Sequence, residues 1–186
     1  LHYCDPNNDG FGVFNLEDAT LAIQGGSLQT GVSVTYHETP TDALIGGNPL
    51  TSPYENINDW NQTIYVRVFY TLTGCANYVE LELIVDPTPE ATEPDDYELC
   101  DYTGAVGFET FDLTTTVPQI LGSIDPSTHT VTFHTSLGDA QGDIGAIGNI
   151  TGYVTASTTL YVRVENNLTG CYDVVSLDLV VNSLPN

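Results

Sequence analysis

The sequence predicts a mainly β chain of two small β-sandwich domains in tandem, each with short helical turns. Three observations carry this. A strand, a turn and a cysteine occur together twice: Ile64-Tyr65-Val66-Arg67-Val68 runs on to Leu72-Thr73-Gly74-Cys75, and Leu160-Tyr161-Val162-Arg163-Val164 runs on to Leu168-Thr169-Gly170-Cys171. The two copies align over nearly the whole chain at an offset of 96 or 97 positions. Apolar residues in these stretches alternate with period two, the mark of strands with one buried face. The repeat divides the 186 residues into repeat 1 (1–88), an acidic proline-rich linker (89–97) and repeat 2 (98–186). Each repeat is about 90 residues, small enough to gain from a covalent staple.

Each element has its own reason. Cys4-Asp5 matches Cys100-Asp101, and Phe11, Phe14 and Leu16 match Phe108, Phe111 and Leu113. A short strand near Val13–Leu16 leads into a helical turn that Asn15 or Asp112 can cap and Gly25 or Gly122 can end. The strand from Val32 to Glu38 puts Val32, Val34 and Tyr36 on one face and Ser33, Thr35 and His37 on the other. Thr39-Pro40-Thr41-Asp42 is a helix-start signal: a cap, a proline at the first helical position and a carboxylate at the third. Ser136-Leu137-Gly138-Asp139 repeats the spacing without the proline, and Gly46-Gly47 stops the first helix early. The hairpin alternates Ile64, Val66, Val68 against Tyr65, Arg67, Phe69, then Val79, Leu81, Leu83, Val85 against Tyr78, Glu80, Glu82. One apolar and one mixed face suit a sandwich with one side wet. Three prolines and six carboxylates from Asp86 to Glu98 predict a stiff, extended spacer.

Charge excludes whole classes of partner. With 25 acidic residues, two arginines and no lysine, the net charge is −23. Such a surface repels nucleic acid and anionic membranes and attracts divalent cations. The 41% hydrophobic and 10% aromatic content, in periodic runs, argues against disorder. No run reaches the ~18 apolar residues of a membrane span, so direct membrane insertion is not expected. The chain starts and stops in mid-pattern, as a piece of a longer secreted protein would.

Cys4 and Cys75 are 71 positions apart, as are Cys100 and Cys171. The equal spacing predicts one disulfide per repeat, Cys4–Cys75 and Cys100–Cys171, and an oxidising compartment. Zinc is the alternative, but there is no CxxC and no Cys/His cluster.

The pattern resembles the immunoglobulin-like repeats of very large cell-surface and adhesion proteins of Bacteroidota, exported by the type IX system. The resemblance rests on the Cys-Asp-x-Asn-x-Asp-Gly opening, the Val-Thr-Tyr-His strand, the Asp-Ala turn and the Tyr-Val-Arg-Val…Thr-Gly-Cys hairpin. It implies two tandem immunoglobulin-like sandwiches at the bacterial surface, in a structural or adhesive stalk whose partners are neighbouring repeats of the same chain. No enzymatic activity is implied. The alternatives are a carbohydrate-binding module or an accessory domain of a secreted enzyme. The second repeat departs at Cys100-Asp101-Tyr102-Thr103-Gly104, which lacks the Asn/Asp pattern.

The candidate site residues lie in the first repeat. Asp5, Asn7 and Asp9 place oxygen side chains at alternate positions before Gly10, a ladder suited to calcium. The Phe11 carbonyl and the Glu17 carboxylate are the expected remaining ligands, and calcium the expected cofactor. The competing reading is an Asx-turn loop without metal. Trp60, set among amides and matched by Ala156, is a candidate contact for a surface glycan or protein ligand, or a cover for the domain's edge. Arg67 and Arg163 are expected to pair across strands with Glu82 and Asp178, and His37 and His134 to be solvated strand residues. No GxSxG, HExxH or P-loop is present.

Overall fold

The computed structural model describes residues 1–102 and 106–185. Thr103 and Gly104, part of the departing loop in the second repeat, lie outside them. The chain divides into two compact units, Leu1–Pro87 and Thr88–Asn186, which are described separately.

Repeat 1 contains β1 (His2–Asp5), β2 (Val13–Phe14), α1 (Thr20–Ile23, preceded by a 3-10 turn), β3 (Val32–His37), α2 (Pro40–Ile45), β4 (Tyr54–Glu55), β5 (Asn61–Tyr70) and β6 (Ala76–Pro87). Repeat 2 follows the same order with β7 (Tyr97–Cys100), β8 (Glu109–Phe111), α3 (Val117–Leu121), β9 (His129–His134), α4 (Leu137–Gly142), β10 (Tyr153–Thr155), β11 (Thr158–Asn166) and β12 (Tyr172–Asn182). Each unit has a four-stranded sheet, β1-β6-β5-β3 or β7-β12-β11-β9, and a two-stranded ribbon, β2-β4 or β8-β10. The chain is therefore mainly β, with two sandwich-like halves, as its periodicity predicts.

The alternation places the cores. Ile64, Val66, Leu83 and Val85 are buried with Tyr36 on one face of the first sheet, where Phe14 and Leu16 close over them. In repeat 2, Leu160, Val162, Leu177 and Leu179 meet Phe111, Leu113, Ile120 and Phe133. Burying one such aliphatic side chain stabilises by about 1.5–3 kcal/mol.

The opposite face is not wet throughout, and two expectations change with it. Thr39 accepts from the Asp42 amide (3.0 Å) and caps α2, which ends on Gly46 with φ +72°. Ser136 does the same for α4 through Asp139 (3.1 Å), and Asp143 (φ 50°) takes the left-handed end position. The two helices cover the face that carries the histidines and arginines. His37 and His134 are fully buried rather than solvated. Nδ1 of His37 reaches the Gly47 carbonyl (2.6 Å) and its Nε2 the Thr35 hydroxyl (2.9 Å). His134 repeats this with Ile144 (3.0 Å) and Thr132 (2.9 Å). A carbonyl can only accept, so Nδ1 carries the proton in both rings.

The arginines do not pair with Glu82 or Asp178, because the register sets Thr63 opposite Glu82 and Thr159 opposite Asp178. Arg67 instead donates to the carbonyls of Ala43 (2.8 Å) and Leu44 (2.5 Å) at the end of α2. Arg163 donates to Ala140 (3.0 Å) and Gln141 (3.2 Å) in α4, bonds Glu165 through Nε (2.7 Å), and lies 3.4 Å over the Tyr172 ring. Both cations satisfy carbonyls at the negative end of a short helix.

The segment expected to be a free spacer is held on repeat 2. The Thr92 amide donates to the Ile120 carbonyl (2.9 Å), Gln119 donates to Asp95 (2.9 Å), and Ala91 packs on the core. Its carboxylates accept from neutral donors there, which offsets part of their mutual repulsion.

Loss of either cap by Thr39→Ala or Ser136→Ala should cost about 1 kcal/mol in urea unfolding. The Thr39 hydroxyl, then Asn48, holds the Asp42 carboxyl below its ordinary value. A lowered carboxyl stabilises the fold above its unfolded pKa and loses that contribution as pH falls through the folded one. Thr39→Ala should therefore flatten the acid side of the stability–pH curve below about pH 4; an unchanged slope there would contradict the assignment.

Candidate functional site: the cysteine ends and the acidic loop

Strand length decides where the cysteines lie. Cys75 stands immediately before β6, at the tip of the β5–β6 hairpin. Cys4 lies on β1, whose parallel pairing sets it beside Asp86 near the far end of β6. The ten steps of extended chain from Ala76 to Asp86, at about 3.3 Å each, put the two cysteines roughly 33 Å apart. Repeat 2 has the same plan: Cys171 precedes β12, and Cys100 is beside Asn182. A disulfide needs Cα atoms within about 7 Å.

Neither predicted pairing, Cys4–Cys75 or Cys100–Cys171, is present. Cys4 and Cys171 are the disulfide-bonded cysteines, and Cys75 and Cys100 are free, exposed thiols. Equal spacing in sequence marks equivalent positions in the repeat, which need not be partners.

The acidic loop follows β1. Asp5 is fully buried, and its carboxylate accepts from the amides of Asn7 (3.2 Å) and Gly10 (2.7 Å). Asp9 accepts from the Phe11 amide (2.9 Å) and from the Asn7 side chain (2.7 Å). Asp5, Asn7 and Asp9 thus share one loop, with oxygens turned to local N–H donors. Glu17 lies in the 3-10 turn, where its charge helps to raise the Tyr36 phenol; burial is the larger cause. Among the described residues no group of three or more His, Cys, Asp or Glu side chains is placed to hold a metal ion. In repeat 2 Asp101 accepts from the Gly107 amide (2.8 Å), as Asp5 does from Gly10. That shared role needs no Asn/Asp ladder, and it was legible in the match of Cys4-Asp5 with Cys100-Asp101.

Trp60 belongs to the same structure. Its amide donates to the Gly10 carbonyl (2.9 Å), and its own carbonyl accepts from Val85 (2.9 Å). Asn56 ties the loop further, accepting from the Gly12 amide (2.6 Å) and donating to the Gly10 carbonyl (3.0 Å). A Cβ on Gly10 would lie 3.1 Å from the indole, and φ there is +85°. Trp60 holds φ 62°, a left-handed conformation costly for a bulky residue. Both of its backbone groups are bonded in that geometry, and 38% of the residue remains exposed. The indole therefore covers the acidic loop, a link sequence reading missed because residues 10 and 60 carry no shared signal.

The two halves are β-sandwich-like repeats of one plan. The model of the Flavobacterium inter-domain disulphide bond domain matches residues 1–89 and 96–185, and the chain belongs to that family. No curated protein matches the sequence. Solved structures similar to it include the immunoglobulin domains 1–5 of Sidekick-1 (15% identity, TM-score 0.28, covering 82% of this chain and 32% of that one). Drosophila OTK extracellular domains 3–5 are similar at 8% identity (TM-score 0.30, 81% and 52%). Drosophila N-cadherin EC1–3 is similar at 13% (TM-score 0.28, 84% and 57%). The chain spans a third to just over half of the length of these structures.

Alkylation of the folded, unreduced chain should label Cys75 and Cys100 and leave Cys4 and Cys171 unlabelled until a reductant is added. Trypsin is a poor tool with two arginines and no lysine, so the sites should be mapped after cleavage at acidic residues. Labelling of Cys4 in the unreduced protein would contradict the assignment.

Proposed function

We propose that the chain is a stalk segment of a secreted bacterial surface protein. A cystine joins the strand-end cysteine of one repeat, Cys4, to the hairpin-tip cysteine of the next, Cys171. The observation that carries the reading is the division of the four cysteines. The two bonded ones are one of each kind, whereas the within-repeat pairs lie at opposite ends of a long strand. The family's description as an inter-domain disulphide domain supports it. The cystine requires an oxidising compartment, which supports export, and type IX export is part of the proposal. The role is mechanical: a bond from residue 4 to residue 171 withholds the intervening chain from extension under load.

Pulling the chain by its ends in a single-molecule force experiment tests this. With the cystine intact, the residues between 4 and 171 should not lengthen. Reduction should release on the order of 500 Å of additional contour. Equal contour lengths before and after reduction would contradict the proposal.

Calcium at the acidic loop is a second proposal, supported by three oxygen-bearing side chains within five residues and a charge of −23. Asp5 and Asp9 would have to give up the amide bonds described above, and Asn7, the Phe11 carbonyl and Glu17 would have to turn toward the ion with them. A ligand that binds only the folded state raises its melting temperature. Calcium should raise that of the chain, and Asp9→Ala should abolish most of the rise. Identical melting curves in calcium and chelator assign the loop to Asx turns alone. The part-exposed Trp60 supports glycan or protein recognition as the alternative activity; a glycan array that does not distinguish wild type from Trp60→Ala would remove the glycan reading.

A further inference from the structure

The two repeats differ in what covers one groove of the sandwich. In repeat 2 the residues that lead into β7 lie in it. The Ala91 amide donates to the Asp173 carboxylate (3.0 Å), the Thr92 amide to the Ile120 carbonyl (2.9 Å), and the Ser176 hydroxyl to Glu93. Ala91 packs on the core, and Ile120 and Val164 beneath the segment are fully buried. The approach is close: a Cβ on Gly122 would meet the Thr92 hydroxyl at 3.2 Å.

Repeat 1 has the same groove, uncovered. Ile23 stands in the last turn of its helix as Ile120 does, and Val68 pairs with Asn77 as Val164 pairs with Asp173. Ile23, Val68, Asn77 and Val79 line a cavity of about 450 Å³. Ile23 and Val68 are only half-buried there, and Val79 is 45% exposed. A Cβ on Gly25, the counterpart of Gly122, would have nothing within 4 Å. Asn77 also keeps the local bond of Asp173: its side-chain oxygen accepts from the next amide at 2.9 Å, against 2.8 Å in repeat 2. One position differs. Glu80 stands where Ser176 stands. A carboxylate in the place of Glu93 would meet a second carboxylate, so this groove calls for a donor there.

We propose that the groove of repeat 1 is a docking seat for an extended peptide segment of the kind that leads into a repeat's first strand. The segment has a small apolar side chain in the place of Ala91, a backbone amide in that of Thr92 and a hydrogen-bond donor in that of Glu93. The second lone pair of the Asn77 side-chain oxygen accepts its first amide, and the Ile23 carbonyl accepts its second. Its small side chain covers Ile23, Val68 and Val79, and Glu80 selects its third residue. Main-chain bonds hold the peptide in place, and one side-chain position gives the specificity.

The test grafts residues 88–96 ahead of Leu1 of the full chain. This keeps the spacing they have ahead of Tyr97, because His2 meets Ile84 as Glu98 meets Val180. The graft is made in three forms: unchanged, with Glu93→Gln, and with Glu93→Gln plus Ala91→Glu, each change confined to the grafted copy. In the Gln form, nuclear Overhauser contacts should join the grafted Ala91 methyl to Ile23 and Val79. The grafted Thr92 amide should exchange about tenfold more slowly there than in the other two forms, as a newly formed backbone hydrogen bond would give. Absence of those contacts, or equal exchange in all three forms, would overturn the proposal. So would a dimer of the ungrafted chain in sedimentation that shifts the resonances of the same groove residues, since a second copy would then be the occupant.

Discussion

The architecture depends on the span of one strand. β6 and β12 run from a cysteine at the hairpin tip to the partner of a second cysteine near the other end. At about 3.3 Å per residue that distance is several times what a disulfide can bridge. A staple inside the repeat is thereby ruled out. Each hydrophobic core stabilises its own repeat without a staple inside it.

The polar interior follows a second constraint. Short helices have few internal hydrogen bonds, and their last carbonyls need donors. In an acidic chain the natural donors are scarce, and the two arginines are both used there, at Ala43–Leu44 and Ala140–Gln141. The buried histidines fix the chain just after each helix, at Gly47 and Ile144. Paired positions in the two repeats carry the same bonds. The repetition of Arg67/Arg163 and His37/His134 in sequence thus records a structural need for a covered outer face.

Much of the fold was legible because it rests on local signals. Period-two alternation placed β5, β6, β11 and β12, and Thr39-Pro40 with its matching Ser136 placed α2 and α4. What sequence could not show were parallel pairings and layers. Nothing local says that β1 lies against the far half of β6, so equal spacing reads as two partners. Nothing local says that a short helix covers His37, so its place on one strand face with Ser33 and Thr35 reads as wet. The loop at Asp5, Asn7 and Asp9 was found, but its tie to Trp60 through Gly10 joins residues fifty positions apart.

The separation of the two cysteines within a repeat can be measured directly. Nitroxide labels on Cys4 and Cys75, in a chain with Cys100→Ser and Cys171→Ser, give that distance by pulsed electron spin resonance. The strand geometry predicts a distribution centred at roughly 30–40 Å. A distribution below about 10 Å would mean that the cysteines adjoin, and the end-to-end account of this chain would fail.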